Sequence, residues 1–157
     1  MTILVTGINK LAPFSYFTGV LDRLPVIAAS IAYQRALPYK EDTLKNIETR
    51  GSFHVICVPN SNVKKMKFIS ANESLKDNEF SHATLTPIPC TKTTFPCVKE
   101  SPSTVECKVL QTIPISQEES GSSTPILGEV VLIHLHEATL DGDAINVKKL
   151  DTLSCLD

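Results

Sequence analysis

The sequence lacks several features that would assign it to a specialised class of protein. It has no tryptophan, and no window approaches the roughly 18 consecutive apolar residues that a membrane-spanning helix requires. The amino-terminal stretch MTILVTG has neither the basic flank nor the long apolar core of a signal peptide. The formal net charge of -2 gives no electrostatic footprint for nucleic acid or an anionic membrane. We therefore expect a cytoplasmic protein that binds neither.

Cysteine is present but follows neither a disulfide framework nor a metal-binding motif. The five cysteines are odd in number, and no two of them form a Cys-x-x-Cys pair. A cytoplasmic location keeps thiols reduced, so we expect free cysteines, with Cys107 as a buried structural thiol in a strand. Cys90 and Cys97 lie near each other in a proline-rich segment, and they are the pair that oxidation could join.

The histidines do not reveal a metal site. His134 and His136 alternate along a predicted strand and therefore share one face. A third ligand with supporting groups cannot be identified from the sequence, and His54 has no evident partner. We interpret His134 and His136 as half-buried or interface histidines, expect no metal, and leave the catalytic residues unassigned.

The composition is that of an ordinary globular domain. Hydrophobic residues make up 42% of the chain and charged residues 20%, and 157 residues can close one sizeable core without metals or disulfides. We therefore interpret residues 1–157 as a single domain.

Most of the patterned segments predict strands. Runs of β-branched or alternating residues over 3–7, 25–32 and 52–58 are typical of strands, and two longer strands are predicted over 103–115 and 128–140. Because strands are many and regular strand–helix alternation is missing, the pattern favours a small barrel with helical attachments over a βαβ fold.

Two segments predict short helices. Asp42 and Thr43 are candidate caps, and Gly51 is a stop signal, for an amphipathic helix that begins near residue 43. The apolar spacing in NSNVKKMKFIS, residues 60–70, indicates a second helix.

Three connecting segments carry their own predictions. The stretch KLAPFSYFTGV, residues 10–20, mixes proline, aromatic and small polar residues, which indicates a bent strand that presents its backbone. Residues 71–102 are rich in proline and lack a period, so we expect a long functional excursion. The stretch SQEESGSSTP, residues 116–125, predicts a flexible hairpin tip.

Five segments together resemble the flavin reductase-like family of FMN-binding split barrels. They occur in the family's order and at similar spacings, from about Gly7 to Leu140, and they are LAPFSYFTGV, EDTLKNIETRGSFHV, LTPIP, VKESPSTVECKV and ILGEVVLIHL. The resemblance implies a mainly β fold: a six-stranded Greek-key split barrel with two or three short helices, usually a homodimer with FMN near the subunit interface.

The resemblance also implies cofactor-binding residues. The APFSYF segment would run along the flavin and meet its polar edge with backbone groups. Ser30 and Thr43 are the candidate phosphate hydroxyls, Lys40 is the nearby cation, and Asp42 marks the helix start whose N–H groups suit an anion. The complete set of cofactor-binding candidates is Ala12, Pro13, Phe14, Ser15, Ser30, Lys40, Asp42 and Thr43.

The sequence departs from the family pattern in three places. Lys10 stands where members commonly have Asn, and Glu41 adds an acidic residue beside the expected phosphate, so we expect weaker phosphate affinity. The chain begins about one strand before the first motif and ends without the usual Gly- and Tyr-containing tail. We therefore expect a member that is shortened at both ends.

The resemblance implies an oxidoreductase that passes electrons from NAD(P)H through FMN to a small acceptor. Two alternatives stay open from the sequence: a truncated, non-catalytic module that keeps flavin binding or dimerisation, and a binder of heme or another flavin on the same barrel.

Overall fold

The structure is a computed structural model that describes residues 2–7, 10–14, 16–33, 39–62, 64, 79–117 and 121–152. Within these ranges, strands outnumber helices. No helix of the described part has both the length and the apolar character needed to cross a membrane.

Twelve strands account for most of the regular structure in the described part of the chain. In chain order, β1 to β12 are Thr2–Gly7, Lys10–Phe14, Phe17–Leu21, Val26–Tyr33, Ser52–Cys57, Pro87–Pro89, Pro96–Val98, Ser103–Thr112, Ile115–Gln117, Gly121–Leu135, Leu140–Asp141 and Ala144–Ile145. The described α-helices α1 to α3 are Tyr39–Arg50, Glu79–His82 and Val147–Leu150, and the 3-10 turns η1 and η2 are Asn60–Asn62 and Glu137–Thr139.

One antiparallel sheet forms the body of the molecule. Its strand order is β2-β1-β5-β8-β10-β4-β3, and β9 pairs with β10 beside this path. The two edge strands, β2 and β3, are consecutive in the chain, and β2 also lies against β4. The sheet therefore curls until its edges approach each other, which makes an open barrel.

The expected count of six strands is not confirmed, because the sheet holds eight. The count rises where two long segments are interrupted. The predicted bent strand over 10–20 is divided into β2 and β3, and the segment after Ser103 breaks between Thr112 and Ile115, so that β8 and β9 both pair with β10.

Helix α1 begins four residues earlier than the sequence predicted. It starts at Tyr39 rather than near residue 43, so Asp42 lies in its first turn and Thr43 in its interior. Acidic side chains in a first turn complement the positive end of the helix dipole, and Glu41 and Asp42 both lie there. The predicted stop is confirmed, because Gly51 follows the helix with a φ of 64°.

The predicted hairpin tip over 116–125 is wrong at the residues that the structure describes, and residues 118–120 lie outside them. Residues 121–125 belong to β10, and Ile115–Gln117 forms β9, which pairs with residues 121–123. The small polar residues at 122–124 pair as strand residues because β10 extends far enough to pair with the whole length of β4. The start of the predicted second helix over 60–70 forms the 3-10 turn η1, and most of the other residues of this segment lie outside the described residues.

Strand β5 is buried on both faces and separates two apolar clusters. The barrel cluster lies on one side and consists of Ala12, Phe14, Ile27, Ala29, Ile31, Ile47, Phe53, Val55, Cys107 and Ile126. The outer cluster lies under the excursion that follows residue 78 and consists of Leu11, Ile56, Val58, Phe80, Ala83, Leu85, Phe95 and Val98. The excursion therefore acts as a cover for the outer face of β5.

The expectation of free thiols is wrong for one pair. Cys90 and Cys97 are joined by a disulfide, with their Cα atoms 5.4 Å apart. The β6–β7 ribbon brings them together, because Ile88 lies opposite Cys97 and Pro89 opposite Pro96. Cys107 is fully buried, as predicted for a structural thiol, and burial raises its pKa to about 12.

Candidate functional site

The junction between β2 and β3 leaves backbone groups open at both edges of the sheet. Among the described residues, strand β2 pairs only with β1, and β3 only with β4. The outward N–H of Leu11 donates to the carboxylate of Glu79, so the carbonyls of Leu11 and Pro13 share that outward side, as alternation in a strand requires. Pro13 has no N–H, which protects the edge against pairing with another strand. Acceptor groups therefore dominate this edge.

The side chains of the predicted flavin-contacting stretch are divided between core and edge. Ala12 and Phe14 are buried in the barrel cluster, so they can offer a ligand only their backbone. The side chain of Pro13 and all of Ser15 lie outside the described residues. Tyr16, the first described residue after the break, accepts a hydrogen bond from the N–H of Ser30 through its carbonyl, at 3.0 Å.

Ser30 lies half-buried on β4, beside this junction. Its neighbours Ala29 and Ile31 point into the barrel cluster, so Ser30 belongs to the other face of the strand. Its hydroxyl shares a hydrogen bond of 2.6 Å with the hydroxyl of Ser123 on β10. The hydroxyl of Ser30, which the sequence predicted as a phosphate contact, therefore lies next to a second hydroxyl, that of Ser123.

Helix α1 lies next to β4. Its first turn carries two of the predicted phosphate residues. Lys40 and Asp42 both belong to that turn, although only their backbone is described. Thr43 is 5% exposed and shares the buried face of the helix with Ile47, four residues on. Because α1 packs against β4, the predicted phosphate residues lie on two neighbouring elements.

Strand β3 and its flanks expose an apolar surface. Every residue of Phe17–Leu21 is exposed, as are Tyr16 and Leu24 on either side. Tyr16 is the most exposed of these apolar residues, at 68%. An apolar edge strand left uncovered is a liability for aggregation, so this surface is suited to a ligand or a second subunit.

A second polar centre lies on the outer face of β5 and β8, beneath the excursion. Glu106 is completely buried there and accepts hydrogen bonds from the N–H groups of Thr91 and Lys92, at 3.0 and 2.9 Å, and from the Thr93 hydroxyl at 3.0 Å. His134 donates to it through Nε2 at 2.6 Å. Burial by itself would raise the pKa of Glu106, but these donors outweigh it and hold the pKa at about 2.

His54 is the neutral partner in this centre. It is fully buried opposite Glu106 on the paired strand, its Nε2 contacts the Thr93 hydroxyl, and its Nδ1 lies 3.6 Å from Cys90 Sγ. Burial lowers the pKa of His54 to about 4, although the negative charge of Glu106 acts in the opposite direction.

Sequence reasoning missed this centre because its members are far apart in the chain. Glu106 was passed over in favour of the adjacent Cys107, and His54 had no partner within its own segment. The available signal was a charged residue, Glu106, between Val105 and Cys107 in the first half of a long predicted strand, because a charged side chain that is buried needs partners. His136, grouped with His134 by spacing, instead accepts from the N–H of Ala138 and begins η2.

Comparison with known proteins identifies the fold and the family. The family model described as "Flavin reductase like domain" matches residues 1–149. An uncharacterized protein of Aquifex aeolicus is 32% identical over 140 residues, which are 89% of this chain and 68% of that protein.

Two solved structures are similar to the whole chain. Nitrilotriacetate monooxygenase component B from Bacillus cereus has a TM-score of 0.83 and 28% identity, with 96% of this chain and 76% of that chain covered. A protein with a split barrel domain from Shewanella frigidimarina has a TM-score of 0.75 and 22% identity, covering 99% of this chain and 78% of that chain. The predicted mainly β split barrel is thus confirmed. Because the family model spans nearly the whole sequence, the chain belongs to the flavin reductase-like domain family.

Proposed function

We propose that this protein binds FMN noncovalently and serves as a flavin reductase-like oxidoreductase. The observation that carries the proposal is the β2–β3 junction, where open backbone acceptors lie beside an exposed apolar strand in a chain of this family. An isoalloxazine is a flat apolar ring with polar edges, so a site of this composition is suited to it.

The residues present fit the two ends of the cofactor. Among the described residues, the outward carbonyls of Leu11 and Pro13 have no strand partner, so they are placed to accept from the ring's N–H. The N–H groups of the first turn of α1, with Lys40 as a cation, are suited to the phosphate, because a helix of twelve residues has a positive amino-terminal end. Asp42 and Glu41 in that turn oppose the phosphate charge, so we expect moderate affinity.

The protein's share of the reaction is binding and orientation. Bound FMN supplies the redox chemistry, which is the uptake of a hydride from NAD(P)H and the delivery of electrons to a small acceptor. Backbone groups that position the ring lose no side-chain entropy. No acid or base from the protein is required for hydride transfer to the flavin.

The exposed surface of β3 supports a homodimer as the working unit. Phe17, Val20 and Leu21 project from an edge strand that adjoins the proposed flavin-contacting stretch. A second copy that covered this strand would bury the apolar surface and exclude water from the ring. We therefore place the cofactor near the subunit interface.

Flavin titration tests the proposal with variants of the two phosphate hydroxyls. Purified protein is titrated with FMN, FAD and riboflavin while flavin fluorescence is recorded. We expect FMN to bind best, and Ser30→Ala or Thr43→Val to weaken FMN binding by about 1.5 to 3 kcal/mol, because each removes a hydrogen bond to a charged group. Riboflavin binding, which has no phosphate to lose, should be unchanged by either variant.

Ser123→Ala is the matched control for Ser30→Ala. It removes the internal partner of Ser30 while leaving the Ser30 hydroxyl in place, so it should not weaken FMN binding. An unchanged dissociation constant for Thr43→Val with a lowered free energy of unfolding would assign Thr43 to the fold. Failure of the folded wild-type protein to bind any flavin would overturn the proposal and favour the non-catalytic module.

A further inference from the structure

Four metal-ligand side chains meet beneath the excursion, away from the proposed flavin site. One donor atom from each of Cys90, Cys97, Glu106 and His134 can be chosen so that all four lie within 4.8 Å of one another. Cys97 and Glu106 are buried, and the other two are partly buried. Two sulfurs, one imidazole and one carboxylate form a donor set of the kind that Zn²⁺ prefers.

Three separate elements hold these donors in place. The cysteines belong to the β6–β7 ribbon, Glu106 to β8, and His134 to the neighbouring β10. The loop between the cysteines is attached to β8 independently of the disulfide, since Glu106 accepts from the N–H groups of Thr91 and Lys92. The two thiols will therefore stay close together when the disulfide is reduced.

We propose that Cys90, Cys97, His134 and Glu106 bind one Zn²⁺ ion when the disulfide is reduced. The disulfide seen in the structure is the oxidised, metal-free form of the same site. The ion occupies the position of the proton that His134 Nε2 shares with Glu106 Oε1, while the two thiolates complete the coordination.

The distances require only small displacements. Zn–S bonds of about 2.3 Å and Zn–N or Zn–O bonds of about 2.0 to 2.1 Å place tetrahedral ligands roughly 3.3 to 3.8 Å apart. The 2.6 Å separation of His134 Nε2 and Glu106 Oε1 must therefore open by roughly 0.7 Å. The sulfurs separate by side-chain rotation, with Cα atoms 5.4 Å apart in the disulfide form.

The site is accessible from the surface. A cavity of about 230 Å³ is lined by Cys97 and His134, together with Ser101, Thr104 and His136. A hydrated ion can therefore reach Cys97 and His134 without unfolding of the ribbon. Ligand replacement from this side removes the ion's water shell as the donors close around it.

Reduction and oxidation interconvert the disulfide form and the zinc-bound form. A phosphine reductant and one water convert the disulfide into two thiols and a phosphine oxide. Zn²⁺ then replaces the two thiol protons, which are released to solvent, and the His134 proton moves from Nε2 to Nδ1 by exchange with solvent, so that Nε2 can bind the ion as part of a neutral imidazole. Oxidation of the bound thiolates by a peroxide returns the disulfide, with two electrons passing to the peroxide and the ion set free.

The experiment measures metal binding by the full chain in its two redox forms. Flavin-free protein is reduced with a phosphine or left oxidised, incubated with Zn²⁺ or Co²⁺, and desalted. We expect the reduced protein to retain about one ion per chain. Its Co²⁺ complex should show an absorption band from thiolate-to-metal charge transfer. The oxidised protein, with the same fold and composition, should retain none.

Variants separate this site from other thiols. Three variants should each weaken Zn²⁺ binding: Cys90→Ser, Cys97→Ser and His134→Gln. The expected loss is at least about 10- to 100-fold, which is the typical effect of mutating a residue that merely hydrogen-bonds to a metal ligand. Cys57→Ser and Cys107→Ser are the controls and should leave binding unchanged. Lack of metal on reduced protein that circular dichroism shows to be folded would overturn the proposal, as would equal retention by the oxidised protein.

Discussion

At the scale of single residues, Gly128 shows how closely the barrel is packed. A Cβ atom at this position would lie 2.5 Å from Phe53 Cζ and 3.2 Å from Cys107 Cβ. Phe53 and Cys107 are both fully buried, so neither can move aside without disturbing the barrel cluster. The glycine in β10 is therefore required for close approach of the Phe53 ring.

Gly128→Ala should lower the free energy of unfolding by about 1 to 3 kcal/mol, because overpacking a filled core forces side chains out of their rotamers. Urea denaturation measures the change. Gly19→Ala is the control, since a Cβ there meets nothing within 4 Å, and it should be close to neutral. Equal effects of the two substitutions would contradict this account of the packing.

The buried neutral state of His54 links stability to pH. The folded-state pKa of about 4 lies below the ordinary value of 6.5, so the unfolded chain binds the proton more tightly. The stabilisation is complete above pH 6.5 and is lost as the pH falls towards 4. Because His54 is fully buried, the loss can reach roughly 3 kcal/mol.

His54→Gln should flatten the pH dependence of stability between pH 6.5 and 4.5. Gln keeps a polar group next to Thr93 but does not gain a proton in this range. Unfolding free energies of the wild-type and variant proteins, measured at half-unit steps, check the prediction. Parallel curves would show that the acid sensitivity in this window has another source.

At the scale of elements, the β6–β7 ribbon is held by two independent devices. The disulfide closes a short loop, with a sequence separation of 7 between its cysteines, and Glu106 fixes the same loop by hydrogen bonds. The chain-entropy model assigns about 2.5 kcal/mol to a loop of this length.

Reduction of the disulfide in the presence of a metal chelator should therefore lower the free energy of unfolding by about 2 to 3 kcal/mol. The fold should persist, because Glu106 still holds the loop. Urea denaturation with and without a phosphine reductant measures the difference. The Cys90→Ser/Cys97→Ser variant should not respond to the reductant, and a response there would assign the effect to another group.

At the scale of the whole molecule, the exposed apolar strand β3 is the proposed interface of the homodimer. Leu21 is 57% exposed on this edge strand, whereas Val147 is 75% exposed on α3, in a different part of the chain. If β3 is the subunit interface, only the first of these two positions is covered in the dimer.

Leu21→Glu should convert the dimer into a monomer, because the new carboxylate would be buried without a partner at the interface. Light scattering coupled to size exclusion gives the mass of each variant. Val147→Glu introduces the same charge on an exposed site and should leave the mass unchanged. A dimer that survives Leu21→Glu would place the interface elsewhere.

The sequence by itself determined the class of fold, the family and most of the strands. Alternation and β-branching over 3–7 and 52–58 identified β1 and β5, because these signals are local and the barrel does not override them. Gly51 likewise ended α1 where it was expected to. The start of α1 was misplaced, since Asp42 and Thr43 suit a cap as well as a first turn.

Only the tertiary structure decided what each polar residue contacts. Glu106, His54 and His134 lie on three strands that meet through sheet pairing, and spacing along the chain carries no information about such a meeting. The junction of β2 and β3 is likewise defined by curling of the sheet, which brings its first and last strands together. Local sequence specifies strands, but the contacts between strands arise from the burial that all of them achieve together.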